Sequence, residues 1–483
     1  TWSPVDPSKS GSIAQWGELT NLENIKPPLR LSFTPYLSLG YDSQPISYDP
    51  VEYVNSKNIN GGMDVKYGIN EAFTLDVTLI PDFGQVQSDN KILNLSPFET
   101  QYDENRQFFT EGTELFNQNV NLIQDGKLLY SRRIGGTPAG YYDVQNQITD
   151  QERIEKNPST VQLYNATKLS GRTNKQLGIG LLNAVTAPMY ATVVNDETGE
   201  KRKIQTDVLS NYNVFVLDQT LKNNSHIGFY NTNVMRDGSV PDANVAELNF
   251  DFKNKSNSYS LSGFGNYSTV QNIDPDQKNN NGYYTGLAFS KTSGNFQFDV
   301  ANSIISPDYS QSDLGILFNY NEIANFIGLH GQTYKEMGKL LNLSWWFGNN
   351  VRFRYKPATY AEYSFNAGIF TTFKNYWSLN YSMYSKPVYY NDFYEPRVEG
   401  MFFHARPFFY NSAYVSSDYR KKFVLGMSLG FGESPLPKDP YYEISISPSW
   451  NATDKIRLVY VPSQAKTIKI TDSRTLMPMA IQY

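Results

Sequence analysis

The sequence predicts an all-β protein: a transmembrane antiparallel β-barrel of the bacterial outer membrane, with more than sixteen strands and a segment folded inward into its lumen. Three observations carry that expectation. Apolar and polar residues alternate with period two over runs of roughly 9–12 residues, long enough for a tilted strand to cross a bilayer. Aromatics make up 15% of the chain, with Tyr 36 and Phe 29, while Cys is 0. No stretch of about 20 consecutive apolar residues occurs, so helical crossings are excluded. A mean hydropathy of −0.50 is compatible with a barrel, because such a strand shows lipid only every second residue.

The chain of 483 residues opens without Met, and an exported protein needs a signal peptide, so a processed or incomplete chain is expected. Residues 1–28 read as a linker from a missing N-terminal domain. Ile25-Lys26-Pro27-Pro28 disfavours helix and leaves a stiff, extended entry. Residues 29–483 are expected to form the barrel, with about twenty candidate strands between Leu29 and Ile470. In Phe73–Ile80, Phe73, Leu75, Val77 and Leu79 alternate with Thr74, Asp76 and Thr78. Leu248, Phe250 and Phe252 alternate with Glu247, Asn249 and Asp251, and Trp377, Leu379, Tyr381 and Met383 with Ser378, Asn380 and Ser382. In Phe423–Phe431, Phe423, Leu425, Met427, Leu429 and Phe431 face away from Val424, Gly426, Ser428 and Gly430. Asn70–Glu71 reads as a short turn, whereas 195–203 and 274–282 are polar stretches suited to longer exterior loops. Aromatics gathered at Tyr389, Tyr390, Phe393 and Tyr394, and again at Phe402, Phe403, Phe408, Phe409 and Tyr410, are expected near strand ends. A soluble sandwich also alternates, but its strands are commonly five or six residues long. No fixed-period repeat points to a propeller or solenoid.

Residues 81–136 break the alternation. A structureless connection of that length is uncommon, and its aromatics argue for a packed segment rather than a disordered one. We therefore expect it to fill the lumen. Asp82, Asp103, Glu104, Arg106, Glu111, Glu114, Arg132 and Arg133 would form a network there, because buried charges are rarely tolerated unpaired. Phe108 and Phe109 would anchor the segment on the inner wall. Guanidiniums suit a confined site through planar, bidentate pairing better than lysine does.

The same stretch resembles a known family. Gly62-Met63-Asp64-Val65-Lys66-Tyr67-Gly68, Pro81-Asp82-Phe83-Gly84-Gln85-Val86, Arg106-Gln107-Phe108-Phe109, Glu111-Gly112 and Tyr130-Ser131-Arg132-Arg133-Ile134-Gly135 are similar to the signature of an outer-membrane family catalogued as domain of unknown function 5916. The likeness is dense from Pro81 to Gly135, and beyond it the strands match only in style. The family's asparagine before the proline is Ile80 here, and its proline after the arginine is Gln107. Members commonly follow a family 9 carbohydrate-binding-like domain in Gram-negative envelope proteins. The resemblance implies a barrel and a link to that domain, but no established activity. Any glycan affinity is accordingly expected mainly upstream of Thr1, with loop aromatics such as Tyr389 and Tyr390 the exception.

Composition narrows the chemistry. A net charge of −5 is the wrong sign for nucleic acid. No cysteine and three scattered histidines (His226, His330, His404) argue against a metal or thiol site, and no cofactor is expected. Asp103/Glu104 and Glu111/Glu114 could in principle act as a glycosidase pair, but pairing with the arginines is the simpler reading. Asp274-Pro275-Asp276 begins like a calcium loop, yet Lys278, Asn279 and Thr285 stand at positions that loop needs for its ligands and glycine. Gly178, Gly180, Gly263 and Gly265 are expected to relieve crowding on the inward face. The expected function is non-enzymatic: envelope transport with a link to glycans, or else a structural or accessory subunit of an outer-membrane assembly or secretion complex. Expected partners are outer-membrane lipid and lipopolysaccharide, other outer-membrane or periplasmic proteins, and glycans through the missing domain.

Overall fold

The computed structural model describes the chain except residues 1–3, 7–12, 18, 21–28, 49–50, 82–89, 91, 118–123, 275, 436–437, 454, 461–480 and 483. The linker's proline pair and Asp82 lie outside the described residues.

Nineteen strands form one antiparallel sheet. It meanders from Leu31–Tyr48 to Ile456–Val459, and its members pair in chain order. Two small three-stranded sheets stand outside it. Each edge strand has one partner, and no ladder joins the two edges among the described residues. The longest connections gather on one rim, which also carries short ones at 237–242 and 355–358. On the opposite rim, four or five residues join Gly68 to Phe73, Arg172 to Leu177, Thr220 to His226, Lys253 to Tyr259 and Lys291 to Phe296. The long connections are residues 80–162, 187–209, 306–321 and 387–407. The first strand enters at the short rim, since Leu31 pairs with Tyr67 beside the turn that follows Gly68.

Burial along the strands is the reverse of a soluble sandwich. In Ala243–Lys253, Glu247 is 1% exposed while its neighbour Leu248 is 64% exposed. Lys168, Asn249, Asn266 and Ser268 are buried on the inward face, whereas Leu287, Val300, Ile327, Leu425 and Ile444 are exposed on the outer one. The strand Phe423–Pro435 turns Leu425, Leu429 and Phe431 outward and Val424 inward, as its alternation predicts. The main apolar cluster is built differently from an ordinary sheet core. Phe109, Leu115, Phe116, Leu128 and Ile134 from the long connection meet Leu163, Leu182, Val214, Val216, Tyr230 and Tyr284 from the inward face.

Two expectations are corrected. Gly178 and Gly180 do lie inward, where a Cβ would come 2.7 Å from Leu115 and 3.0 Å from Phe116. Gly263 and Gly265 face outward, because Phe264 takes the buried position and packs edge-on against Tyr284 at 4.8 Å. The stretch 195–203 is only partly loop: Met189–Asn195 and Lys201–Asp207 pair with each other, and Met189–Asn195 also pairs with Glu152–Lys156, in a small sheet with its own apolar centre at Val144, Ala191, Val193 and Ile204. The aromatics Tyr389, Tyr390, Phe393, Tyr394, Phe402 and Phe403 lie at or beside the ends of the short strands in the excursion 387–407, and Phe408, Phe409 and Tyr410 open the wall strand that follows it, near strand ends as expected.

Candidate functional site

The connection that follows Phe73–Leu79 returns into the concave face of the sheet instead of spreading over the rim. Its buried polar groups need partners, and they find them partly within the segment and partly on the inward face of the sheet. The key residue is Arg106, 5% exposed. Its Nε and Nη2 donate to the Glu104 carboxylate at 2.9 and 2.7 Å. Its Nη1 and Nη2 also donate to the carbonyls of Ile134 and Ser131, each at 2.6 Å. The guanidinium lies 4.3 Å from the centre of the Phe109 ring. Ser131 Oγ completes the carboxylate's shell at 2.6 Å. One side chain thus clamps 104–109 to 131–134, using the fixed planar fork that only arginine offers. Burial pushes the Glu104 carboxyl upward, but the hydrogen bonds and charge of Arg106, with Ser131, outweigh it and hold Glu104 below its ordinary value.

The remaining arginines tie distant stretches of the chain together. Arg132 donates Nε and Nη2 to the backbone carbonyl of Asp103 at 3.0 and 2.8 Å. Arg133 pairs with Glu99 at 2.5 Å and donates to the Gly315 carbonyl at 3.2 Å. Gly315 belongs to a second inserted connection, 306–321. It runs beside 124–134 through a bridge between Lys127 and Ile316 and a bond from Tyr130 N to Leu314 O at 2.8 Å. Gly126 makes this contact possible: its φ is +72° and a Cβ there would fall 1.9 Å from the Ile316 carbonyl.

Lysines, not arginines, tie the segment to the wall. Lys66 Nζ lies 2.5 Å from the Glu111 carboxylate, and this bond holds Glu111 below its ordinary value, assisted by Gln107. Lys168 is fully buried. Its Nζ donates to the carbonyls of Phe108, at 2.5 Å, and Glu111, and lies 4.8 Å from the Phe108 ring centre. Tyr230 donates to the Phe116 carbonyl at 2.8 Å, Gln124 to Glu247 at 2.8 Å, and the Asp125 amide to Tyr284 Oη at 2.7 Å.

The structure therefore brings Glu104, Arg106, Phe108 and Phe109 together, and sets Arg132 and Arg133 beside them. Phe109 is in the apolar cluster, and Phe108 packs against it and edge-on to Phe109 at 4.9 Å. Three pairings expected from sequence differ. Asp103 offers its carbonyl rather than its carboxylate, Glu111 is answered by Lys66, and exposed Glu114 is not brought to an arginine. Lysine suits the wall because a point charge on a flexible stem can reach isolated carbonyls, where a planar fork needs a matched pair of acceptors. Sequence reasoning missed Lys66, Lys168, Glu99, Ser131 and Tyr230. Lys66 and Lys168 carried a signal, being charged residues at inward positions of alternating strands. No cluster of three or more His, Cys, Asp or Glu side chains with metal-binding geometry occurs among the described residues.

Fold and site together define an up-and-down antiparallel β-protein whose concave face is filled by its own connections. The chain belongs to the family described as Domain of unknown function (DUF5916), whose model matches residues 27–471. No curated protein matches it. Among solved structures, the crystal structure of the siderophore receptor PirA from Pseudomonas aeruginosa aligns with 90% of this chain and 77% of the receptor, at 8% identity and a TM-score of 0.27. At that similarity no residue role carries across.

Proposed function

We propose that the chain is a non-enzymatic β-barrel of the bacterial outer membrane that serves envelope transport, with residues 81–136 as the element that controls passage. The observation that carries this reading is the inverted burial: a leucine at 64% exposure beside a glutamate at 1%. Around the sheet, an outer belt of Leu, Ile, Val and aromatic residues would be costly in water and is what a strand facing lipid requires. The gathering of the longest connections on one rim, opposite a rim of mostly four- to seven-residue turns, matches the exterior and periplasmic ends of such barrels. The first strand enters at the short rim, so a domain upstream of it, carbohydrate-binding-like as the family resemblance implies, would sit on the periplasmic side. Lipid and lipopolysaccharide are then the obligatory partners, with glycans reached through that domain. Membrane fractionation tests the placement: the protein should stay with outer-membrane porins and resist carbonate extraction, and recovery in the soluble fraction would refute it.

A second reading, an accessory subunit of an outer-membrane assembly or secretion complex, draws on the packing of Phe109, Leu115, Phe116 and Ile134 into a solid interior cluster. An interior sealed under all conditions would serve as a scaffold rather than a conduit. Crosslinking in native membranes followed by identification of stoichiometric partners separates the two.

A further inference from the structure

A cavity of about 210 Å³ opens at the long-connection rim, where the inserted segment meets the ends of four neighbouring strands. Its polar wall comes from strand ends: Glu322 opens Glu322–Gln332, Arg352 and Arg354 close Leu340–Arg354, and Lys386 ends Ser378–Lys386. Glu362 and, from the excursion 387–407, Asp392 complete it. The charges balance, three carboxylates against three cations. They are unevenly satisfied. Lys386 is tight against Glu362 at 2.5 Å, whereas Arg352 stands 3.5 Å from Glu322 and 3.8 Å from Glu362, too far for good hydrogen bonds. Glu322 is 7% exposed, and a carboxylate so placed gains strongly from any donor that reaches it. The opposite wall is aromatic. Tyr394 stands 5.3 Å from Phe98 of the inserted segment and 5.2 Å from Tyr320, ring centre to ring centre, and Phe393 lies beside them.

We propose that this cavity binds a neutral, polyhydroxylated ligand, one saccharide ring, between the Glu322–Arg352 pair and the Phe98–Tyr394 wall. A ligand of net charge would find its own sign as strongly represented as its complement. A wholly apolar one would desolvate the charged lining and leave Glu322 and Arg352 without a better partner across their gap. A hydroxyl donates and accepts at once, so it can bridge Glu322 and Arg352 across the gap that separates them. The C–H face of a pyranose would lie on the aromatic wall, in keeping with pockets that combine apolar surface and a few convergent polar groups. The site rests on its lining and not on the transport reading, since a saccharide can be held here whether or not it passes through.

Calorimetric titration of the full chain in a sugar-free detergent tests it, with cellobiose, maltose and the N-acetylglucosamine dimer as probes and glycylglycine and succinate as charged comparisons. We expect saturable binding of at least one saccharide, weakened at least tenfold in Glu322→Gln and in Arg352→Met, and unchanged in Lys203→Ala. Absence of saturable binding by every saccharide, or an affinity equal to the parent's in both cavity variants, would overturn the proposal. So would binding of glycylglycine or succinate alone. Should either variant lose its β-sheet circular dichroism, Phe98→Ala takes its place with the same expected loss. Saccharide binding in a protein that passes no solute would count against transport and leave this site intact.

Discussion

Arg106 and Glu104 face each other through two parallel hydrogen bonds, at 2.9 and 2.7 Å, while the same guanidinium reaches two carbonyls some 25 residues further along the chain. That clamp is what turns a connection of irregular backbone into a body that stays folded. Arg106→Ala should strand the Glu104 carboxylate and two carbonyls at once, costing about 3–5 kcal/mol as for one partner lost from a buried pair. Hydrogen exchange across 99–134 should accelerate while the strands remain protected. Arg106→Lys should rescue only part of this, since an ammonium cannot reproduce the fork.

Acid should release the same clamp. Glu104 is held below its ordinary value, so its contribution is fully present above the unfolded pKa of roughly 4.3 and is lost as pH falls through the lower folded value. Proteolytic nicking within 99–134 should therefore be absent at neutral pH and emerge only below about pH 4. Glu104→Gln should show nicking at neutral pH and little further change on acidification. Equal acid sensitivity in that variant would assign the transition to another group.

Lys168→Met keeps the bulk of a buried side chain but removes its donors, leaving the Phe108 and Glu111 carbonyls short of a partner. Each such loss is worth about 1–3 kcal/mol. The segment should detach from the strand Leu163–Arg172, seen as increased exchange at 107–111 beyond that in a Lys203→Met control. An unchanged exchange pattern would mean that the other ties, the apolar packing of Phe109 and Phe116 and the Lys66–Glu111 pair among them, hold the segment without Lys168.

The lipid-facing belt makes its own prediction. Leu425 is exposed on the outer face and Val424 buried on the inner. Replacing Leu425 or Met427 with Arg should cost about 2–4 kcal/mol if the site lies near the membrane midplane, read from urea titration of folding into lipid vesicles. Ser428→Arg, on the opposite face, should be mild. Similar costs at both positions would remove the lipid assignment from that strand.

How much of this was legible in the sequence follows from what period two encodes. Alternation in Phe423–Phe431 and Glu247–Phe252 announced which side chains share a face, and the break at 81–136 announced a segment that is not wall. Alternation does not say which distant residues a face will meet. Lys66 and Glu111 lie 45 positions apart, and Arg133 and Gly315 lie 182 apart; nothing local couples them. The pull toward arginine pairing came from counting acids and bases within one stretch, so the lysines on the wall were overlooked. Residues 306–321 carry no local mark of their partner, and it is their contacts with 124–134, such as the Lys127–Ile316 bridge and the close approach at Gly126, that show they too turn inward. The outward glycines were misread because Phe264, flanked by them, could not be assigned a face from size alone.

The most direct measurement is ion conductance across planar bilayers by the purified full chain and by an Arg106→Ala/Lys168→Met double variant, with β-sheet content verified for both. If an outer-membrane barrel is held shut by residues 81–136, the parent should pass little current and the double variant should give discrete openings of much larger conductance. Equal conductance in both, with exchange confirming that 99–134 has come loose in the variant, would contradict a lumen controlled by that segment.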